Sequence, residues 1–254
     1  MTHTAAAARG ALPVEAPSRQ RAASTVATDG RWAALYRIAG IGALMTAVLI
    51  PLQIVAFVVW PPPTGGVTDW FELFRESPFI GLVSFDLVIL LEEILIIPIV
   101  LALYVMLRQR TESLMLIATA MWFVSIALFV GSNTGFEMLA LANGYADAAT
   151  AADRAAHLGA GQAMLSSYME LGSSFVVGYV LASLAGVLVG IAMLRADVFP
   201  RSAGWAALVA NVLGFALFAP GIGVLLSIVS VLILVVWYGL IGTVLVRRPP
   251  AQAA

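Results

Sequence analysis

The sequence predicts an all-α, polytopic transmembrane helical bundle of six spans with both termini cytoplasmic, and three observations carry that prediction. The chain is 61% hydrophobic and only 11% charged, with a mean hydropathy of +0.99. A soluble domain is nearer half apolar and a quarter charged. The apolar residues gather into six runs, and about 20 such residues cover a ~30 Å hydrocarbon core. Arginine supplies all 13 basic residues, and it is concentrated in alternate connections between the runs.

Residues 1–30 form a polar Ala/Pro/Ser/Thr-rich leader with Arg9, Arg19 and Arg21. It lacks the 7–15-residue apolar stretch of a signal peptide and is expected to stay attached as a disordered cytoplasmic tail. Residues 31–248 make the six-span domain, and 249–254 a second loose tail. The first span covers 33–60 and the second 79–107. The third covers 114–130, the fourth 171–194, the fifth 203–218 and the sixth 223–246. Helices satisfy their own backbone in lipid, and these runs are too long and too evenly apolar for barrel strands. Pro220-Gly221 dictates a tight turn between the last two.

Orientation follows from charge. Arg31 and Arg37, Arg108 and Arg110, Arg195 and Arg201, and Arg247 and Arg248 occupy one set of connections. The other set holds only Arg75 and Arg154, beside Asp69, Glu72, Glu76, Asp147 and Asp153. The positive-inside rule places the arginine-rich set in the cytoplasm, and residues 61–78 and 131–170 outside. The alanine-heavy, lysine-free composition suits a high-GC bacterium and hence its cytoplasmic (inner) membrane.

Two outer connections carry helical patterns. In 68–77, Trp70, Phe71 and Phe74 oppose Asp69, Glu72 and Glu76, which predicts an interfacial helix with its aromatics in lipid, stopped at Pro78. Asn143-Gly144 reads as a helix end, and Thr150 with Asp153 as the cap of a short helix lidding the outer mouth, with Asp147, Arg154 and His157 on one face.

In the fourth span Ser174, Gly178, Ala182, Gly186 and Gly190 recur every four residues. Such a ridge lets a helix approach closely, either inside the bundle or in a homodimer. Other expected partners are membrane lipids. A net charge of −1 gives no footprint for nucleic acid.

The chemistry-bearing residues are acids. Asp86, Glu92 and Glu93 fall in the second span, and acids at membrane depth are costly and mark function. Ionised, the three would cost roughly 9 kcal/mol, against about 8 kcal/mol returned by the 20 Leu, Ile, Val and Phe residues of that run. No Arg lies within the second span to neutralise them. They are expected to be neutral, shielded by the bundle or bound to a cation. A seven-residue spacing puts Asp86 and Glu93 on one helix face, with Pro98 able to kink the span below them. Polar residues within reach include Gln53, Asn211 and Tyr179 in other spans and Tyr104 in the same one. Glu137 and Glu170, with Asn133 nearby, sit at outer span ends and are candidates to line a polar cavity with Asp86, His157 lying above it.

Several reaction classes lack their residues. There is no Cys, so thiol chemistry and thiolate metal sites are excluded, and the only histidines are His3 and His157, neither within a span. That argues against haem and three-histidine zinc sites, so no cofactor or metal is expected. Glu92-Glu93 resembles the paired glutamates of the intramembrane CAAX-type proteases, whose motif needs an Arg where this chain has Ile97. Nucleophile-elbow, Walker and prenyl-diphosphate motifs are absent.

The layout resembles the bacterial six-helix family called domain of unknown function 4386. The likeness lies in the Arg-Ile-Ala-Gly entry at 37–40, Asp86 in the outer half of span two, the Gly-Trp-Ala-Ala-Leu-Val-Ala-Asn-Val-Leu-Gly run at 204–214, and Trp237-Tyr238 in the last span. The resemblance implies six spans in the cytoplasmic membrane and no assigned activity. Three functions stay open: a small transporter or proton- or cation-handling protein using Asp86 and Glu93, a cofactor-free enzyme using an acid on a lipid or isoprenoid, and an accessory or scaffold subunit.

Overall fold

The structure, a computed structural model, describes residues 31–169 and 172–247, and every regular element among them is helical. In chain order these are α1 (Ala33–Val59), α2 (Val67–Glu76), α3 (Pro78–Ser84), α4 (Leu87–Ser132), α5 (Gly135–Asp147), α6 (Ala151–Met169), α7 (Ser173–Ala196) and α8 (Arg201–Gly214). A 3-10 turn (Phe215–Phe218) and α9 (Gly223–Arg247) complete the fold. Five helical stretches are long and apolar enough to cross a membrane, as in a multi-pass membrane protein: Ala33–Val59, Leu87–Asp147, Ala151–Ala196, Arg201–Phe218 and Gly223–Arg247.

α4 is a hairpin. A straight helix of 46 residues would hold its ends about 69 Å apart at 1.5 Å per residue. Yet Asn133, just past its last turn, donates a side-chain N–H to the carbonyl of Asp86, just before its first, at 3.4 Å. The fold-back is at Thr111, whose φ of −142° and ψ of 44° are not helical. Its hydroxyl donates to the Leu107 carbonyl at 2.9 Å, the one-turn-back bond by which Thr bends helices. The two limbs, 87–110 and 112–132, are about 36 and about 32 Å long.

Five helices close into a ring: α1 packs on α4 and α9, α4 on α7, α7 on α8, and α8 on α9. A single apolar core runs through them, from Ala39 and Ala43 through Leu103 and Trp122 to Trp237 and Ile241. Large apolar residues also face outward, among them Val48, Leu116, Leu225 and Val236, which is the surface a bilayer solvates. The ridge of small residues is used within the chain. A Cβ at Gly190 would stand 2.9 Å from the backbone nitrogen of Leu208 in α8, and one at Gly186 would enter the Asn211 side chain. At Gly178 the carbonyl accepts the Ser125 hydroxyl at 2.8 Å. Ser174 faces the cavity described below, and Ala182 is half-buried.

The second apolar run, 79–107, is not one helix. Pro78 starts α3, a turn at Phe85 ends it, and Asp86 takes left-handed backbone angles (φ 66°, ψ 27°) before α4 begins. Asp is one of the few side chains that visits this region without severe clash, so a break here leaves no mark in hydropathy. Pro98, by contrast, sits in α4 without leaving helical angles.

The helix at 68–77 does not lay its aromatics in lipid. Trp70, Phe71 and Phe74 are at most 1% exposed and form a second core with Phe85, Met138, Ala142 and Leu165. The apolar faces of α5 and α6 bury them, and two helices rather than one short lid cover that end. Asn143-Gly144 does not end a helix either, because α5 continues to Asp147, and Gly144 is where the His157 ring of α6 seats against it. Thr150 does cap α6, accepting the Asp153 amide at 3.1 Å while its hydroxyl donates to the Asp153 carboxylate at 2.7 Å. Gly221, with φ 83°, makes the tight turn into α9.

Candidate functional site

The break at Asp86 opens a cavity of about 690 Å³ between the bundle and the cap of α2, α3, α5 and α6. Phe85, Asp86 and Ile89 line it from the start of α4, and Phe129, Ser132 and Asn133 from its end. Met164, Ser167 and Tyr168 of α6 and Ser173, Ser174 and Phe175 of α7 complete the wall. Helices begin just after Asp86, Thr134 and Gly172, and others end at Ser84, Ser132 and Met169, so helix ends of both signs meet here. Their dipoles largely cancel. Asp86 is the only charged side chain among the described lining residues.

Asp86 is held from two directions. Its carbonyl accepts the Asn133 amide, and the Asn133 side-chain oxygen accepts the Gly135 N–H at 3.2 Å, which ties the start of α4 to the start of α5. Its carboxylate accepts the Tyr168 hydroxyl. The Tyr168 ring stacks on Phe85 with centroids 4.3 Å apart, and Trp70 meets both rings edge-on at 6.2 and 5.1 Å. The cap core therefore fixes the tyrosine that orients the acid.

Ile89 leads inward. Glu92 and Glu93 lie three and four residues beyond it, one helical turn along the same side of α4. Both are half-buried, and Glu92 Oε1 and Glu93 Oε2 are fully buried with no hydrogen-bond partner. Glu92 is within electrostatic reach of Glu93 and of Asp86, and Tyr238 of α9, almost wholly buried, is within reach of both glutamates. Because Asp86 is not helical, the seven-residue spacing to Glu93 does not place the two on one helix face, and it is Glu92 that senses Asp86.

The other sequence candidates go elsewhere. Glu137 is exposed in the first turn of α5, where the helix dipole favours an acid, and it does not line the cavity. His157 packs on Gly144, away from the lining. Glu170 lies outside the described residues. Tyr179 donates to the Gly214 carbonyl at 3.2 Å and Asn211 to the Ala207 carbonyl at 2.7 Å, while the Tyr104 ring takes the Arg108 guanidinium at 5.6 Å. Among the described residues no group of three or more His, Asp or Glu is placed to hold a metal ion.

Sequence reasoning missed Tyr168, Phe129 and Phe175. Each reads as an ordinary aromatic near a span end, and only the folding back of α4 and the arrival of α6 bring them to Asp86. No protein-family model, curated protein or solved structure matches the chain, so its function is argued from its own residues.

Proposed function

We propose that this is a multi-pass protein of the bacterial cytoplasmic membrane that crosses it six times, keeps both ends in the cytoplasm, and handles protons or small cations through Asp86, Glu92 and Glu93. Support for six crossings comes from the α4 hairpin, each limb of which is long enough for the ~30 Å core. Arginine at the Thr111 end of the hairpin and at the starts of α1 and α8 supports the orientation.

The observation that carries the reading is the pair of buried carboxylate oxygens without partners, Glu92 Oε1 and Glu93 Oε2, one turn inward of a cavity whose rim holds a third acid. A buried carboxylate with no donor is costly as structure and useful as a relay, because it can take up a proton or a cation. The test is flux. Purified protein in liposomes loaded with a pH-reporting dye is expected to change lumenal pH under an imposed sodium or potassium gradient, and the Glu92→Gln/Glu93→Gln protein is expected not to. Equal traces from the two proteins reject the reading.

A second reading, a cofactor-free membrane enzyme, is favoured by the half-buried rings of Tyr168, Phe129 and Phe175 around Asp86. A carboxylic acid there can protonate an isoprenoid double bond beside aromatic faces that stabilise the positive carbon. It predicts an isomerised or cyclised isoprenoid product without any gradient, lost in Asp86→Asn and kept in the Glu92→Gln/Glu93→Gln protein.

A further inference from the structure

We propose that the cavity at Asp86 is a binding site for an apolar organic ammonium ion, an inference that rests on the cation-handling reading and narrows the cation. Size comes first. About 690 Å³ is far more than a bare metal ion needs and falls in the range of small-molecule pockets. Charge comes next. Asp86 is the only charged side chain among the described lining residues, none of which is Arg or His, and helix ends of both signs offset one another. A phosphate or carboxylate would face an acid with no basic partner, so anions are disfavoured.

The wall then selects among cations. Three half-buried rings flank the acid: Tyr168, backed by the buried Phe85 at 4.3 Å, and Phe129 and Phe175, edge-on to each other at 5.6 Å. Ring faces attract a positive charge electrostatically, most strongly where water is excluded, and they cover the apolar substituents of an amine. A strongly hydrated inorganic ion gains little from such a wall. On the same wall, the hydroxyls of Ser132, Ser167 and Ser174 can accept N–H bonds. The Tyr168 hydroxyl holds the carboxylate in place for the ammonium group.

Benzyltrimethylammonium and neopentylbenzene share one shape and differ by a single positive charge. Binding of each is measured by equilibrium dialysis against the full chain in lipid nanodiscs, with protein-free nanodiscs as the blank. The ammonium compound is expected to bind once per chain, about tenfold or more tighter than its neutral isostere. Asp86→Asn, which keeps the left-handed backbone and an acceptor for Tyr168, should abolish that difference. Phe129→Leu with Phe175→Leu should weaken the ammonium compound several-fold. Equal affinity for the two compounds, or an undiminished difference in Asp86→Asn, overturns the proposal. Should the variants fail to fold, the two compounds on the wild-type chain decide alone. Gradient-driven pH change without ammonium binding overturns this inference and leaves the broader reading standing. Charge-selective binding without flux does the reverse.

Discussion

The bundle and the cap bury their side chains by opposite means. In the bundle, backbones come close: Gly190 meets Leu208 across α7 and α8, and Gly242 meets the Gly40 carbonyl across α9 and α1, where added Cβ atoms would stand 2.9 and 3.1 Å away. In the cap, rings hold short helices apart and fill the gap, with Trp70, Phe74, Phe85 and Tyr168 in mutual contact. The contrast follows from the solvent. Lipid gives no hydrophobic drive for one helix to leave it for another, so bundle helices associate through close van der Waals packing. The cap packs like the core of a soluble domain, around large apolar rings buried against one another. Asp86 sits where the two regimes meet, with its backbone tied to the bundle and its carboxylate held by a cap residue.

If the cap is a separate core, emptying it should loosen it alone. Trp70→Ala removes the largest buried ring and should cost on the order of 3–5 kcal/mol, the usual range for burying then deleting an aromatic. Hydrogen exchange should rise over α2, α5 and α6 and stay unchanged over α7–α9. A uniform rise would show that the two cores unfold as one unit.

The converse attack on the bundle is Gly190→Leu, expected to cost about 1–3 kcal/mol in thermal unfolding because the obstruction is backbone of α8 and cannot rotate away. Gly186→Ala should cost less, since the obstruction there is the Asn211 side chain, which can move. Reversal of that order would mean that the α7–α8 seam is not the rigid contact described.

How much of this was legible in the sequence tracks the same contrast. The apolar runs could be read because a bilayer imposes length and composition on each crossing, and five helical stretches of that kind are present. The break inside the second run could not be read. Asp86 has no Gly or Pro beside it, and its conformation goes with the closing of the hairpin and the docking of α6. The turn at Thr111, by contrast, falls in the connection expected between the second and third runs. The cap partners of Trp70 were equally hidden, because an amphipathic helix shows which face is apolar but not whether lipid or protein covers it. Of the acids, Asp86 could be singled out by type and place, whereas Tyr168, which orients it, gave no signal.

The left-handed angle at Asp86 yields a smaller, sharper effect. Asp86→Gly and Asp86→Ala remove the same carboxylate, yet only Ala meets the Cβ penalty at φ 66°, so Ala should be less stable than Gly by about 1–2 kcal/mol. Ordinary helical backbone would give the opposite order. Orientation has its own check. Thr64, Ala149 and Ser113 are exposed, and the chain has no natural Cys, so single cysteines there report sidedness. Impermeant maleimide on intact cells should label the first two and spare the third, and labelling at position 113 alone would invert the proposed topology.

The smallest expected effect is on stability at the two glutamates. Were Glu92 or Glu93 there to pin a neighbouring helix, its carboxylate would be hydrogen-bonded, and disturbing a buried bond of that kind costs about 1–3 kcal/mol. Neither Glu92 Oε1 nor Glu93 Oε2 has such a partner. Glutamine keeps the length and shape of the side chain while removing its ability to take up and release a proton. Glu92→Gln and Glu93→Gln should therefore unfold within about 0.5 kcal/mol of the wild type in thermal scans of the detergent-solubilised protein. The same two proteins should lose gradient-driven pH change in liposomes. Stability and flux thus separate at these positions, whereas at Trp70 and Gly190 they should fall together. A loss of 1.5 kcal/mol or more with flux intact would return the glutamates to a purely structural role.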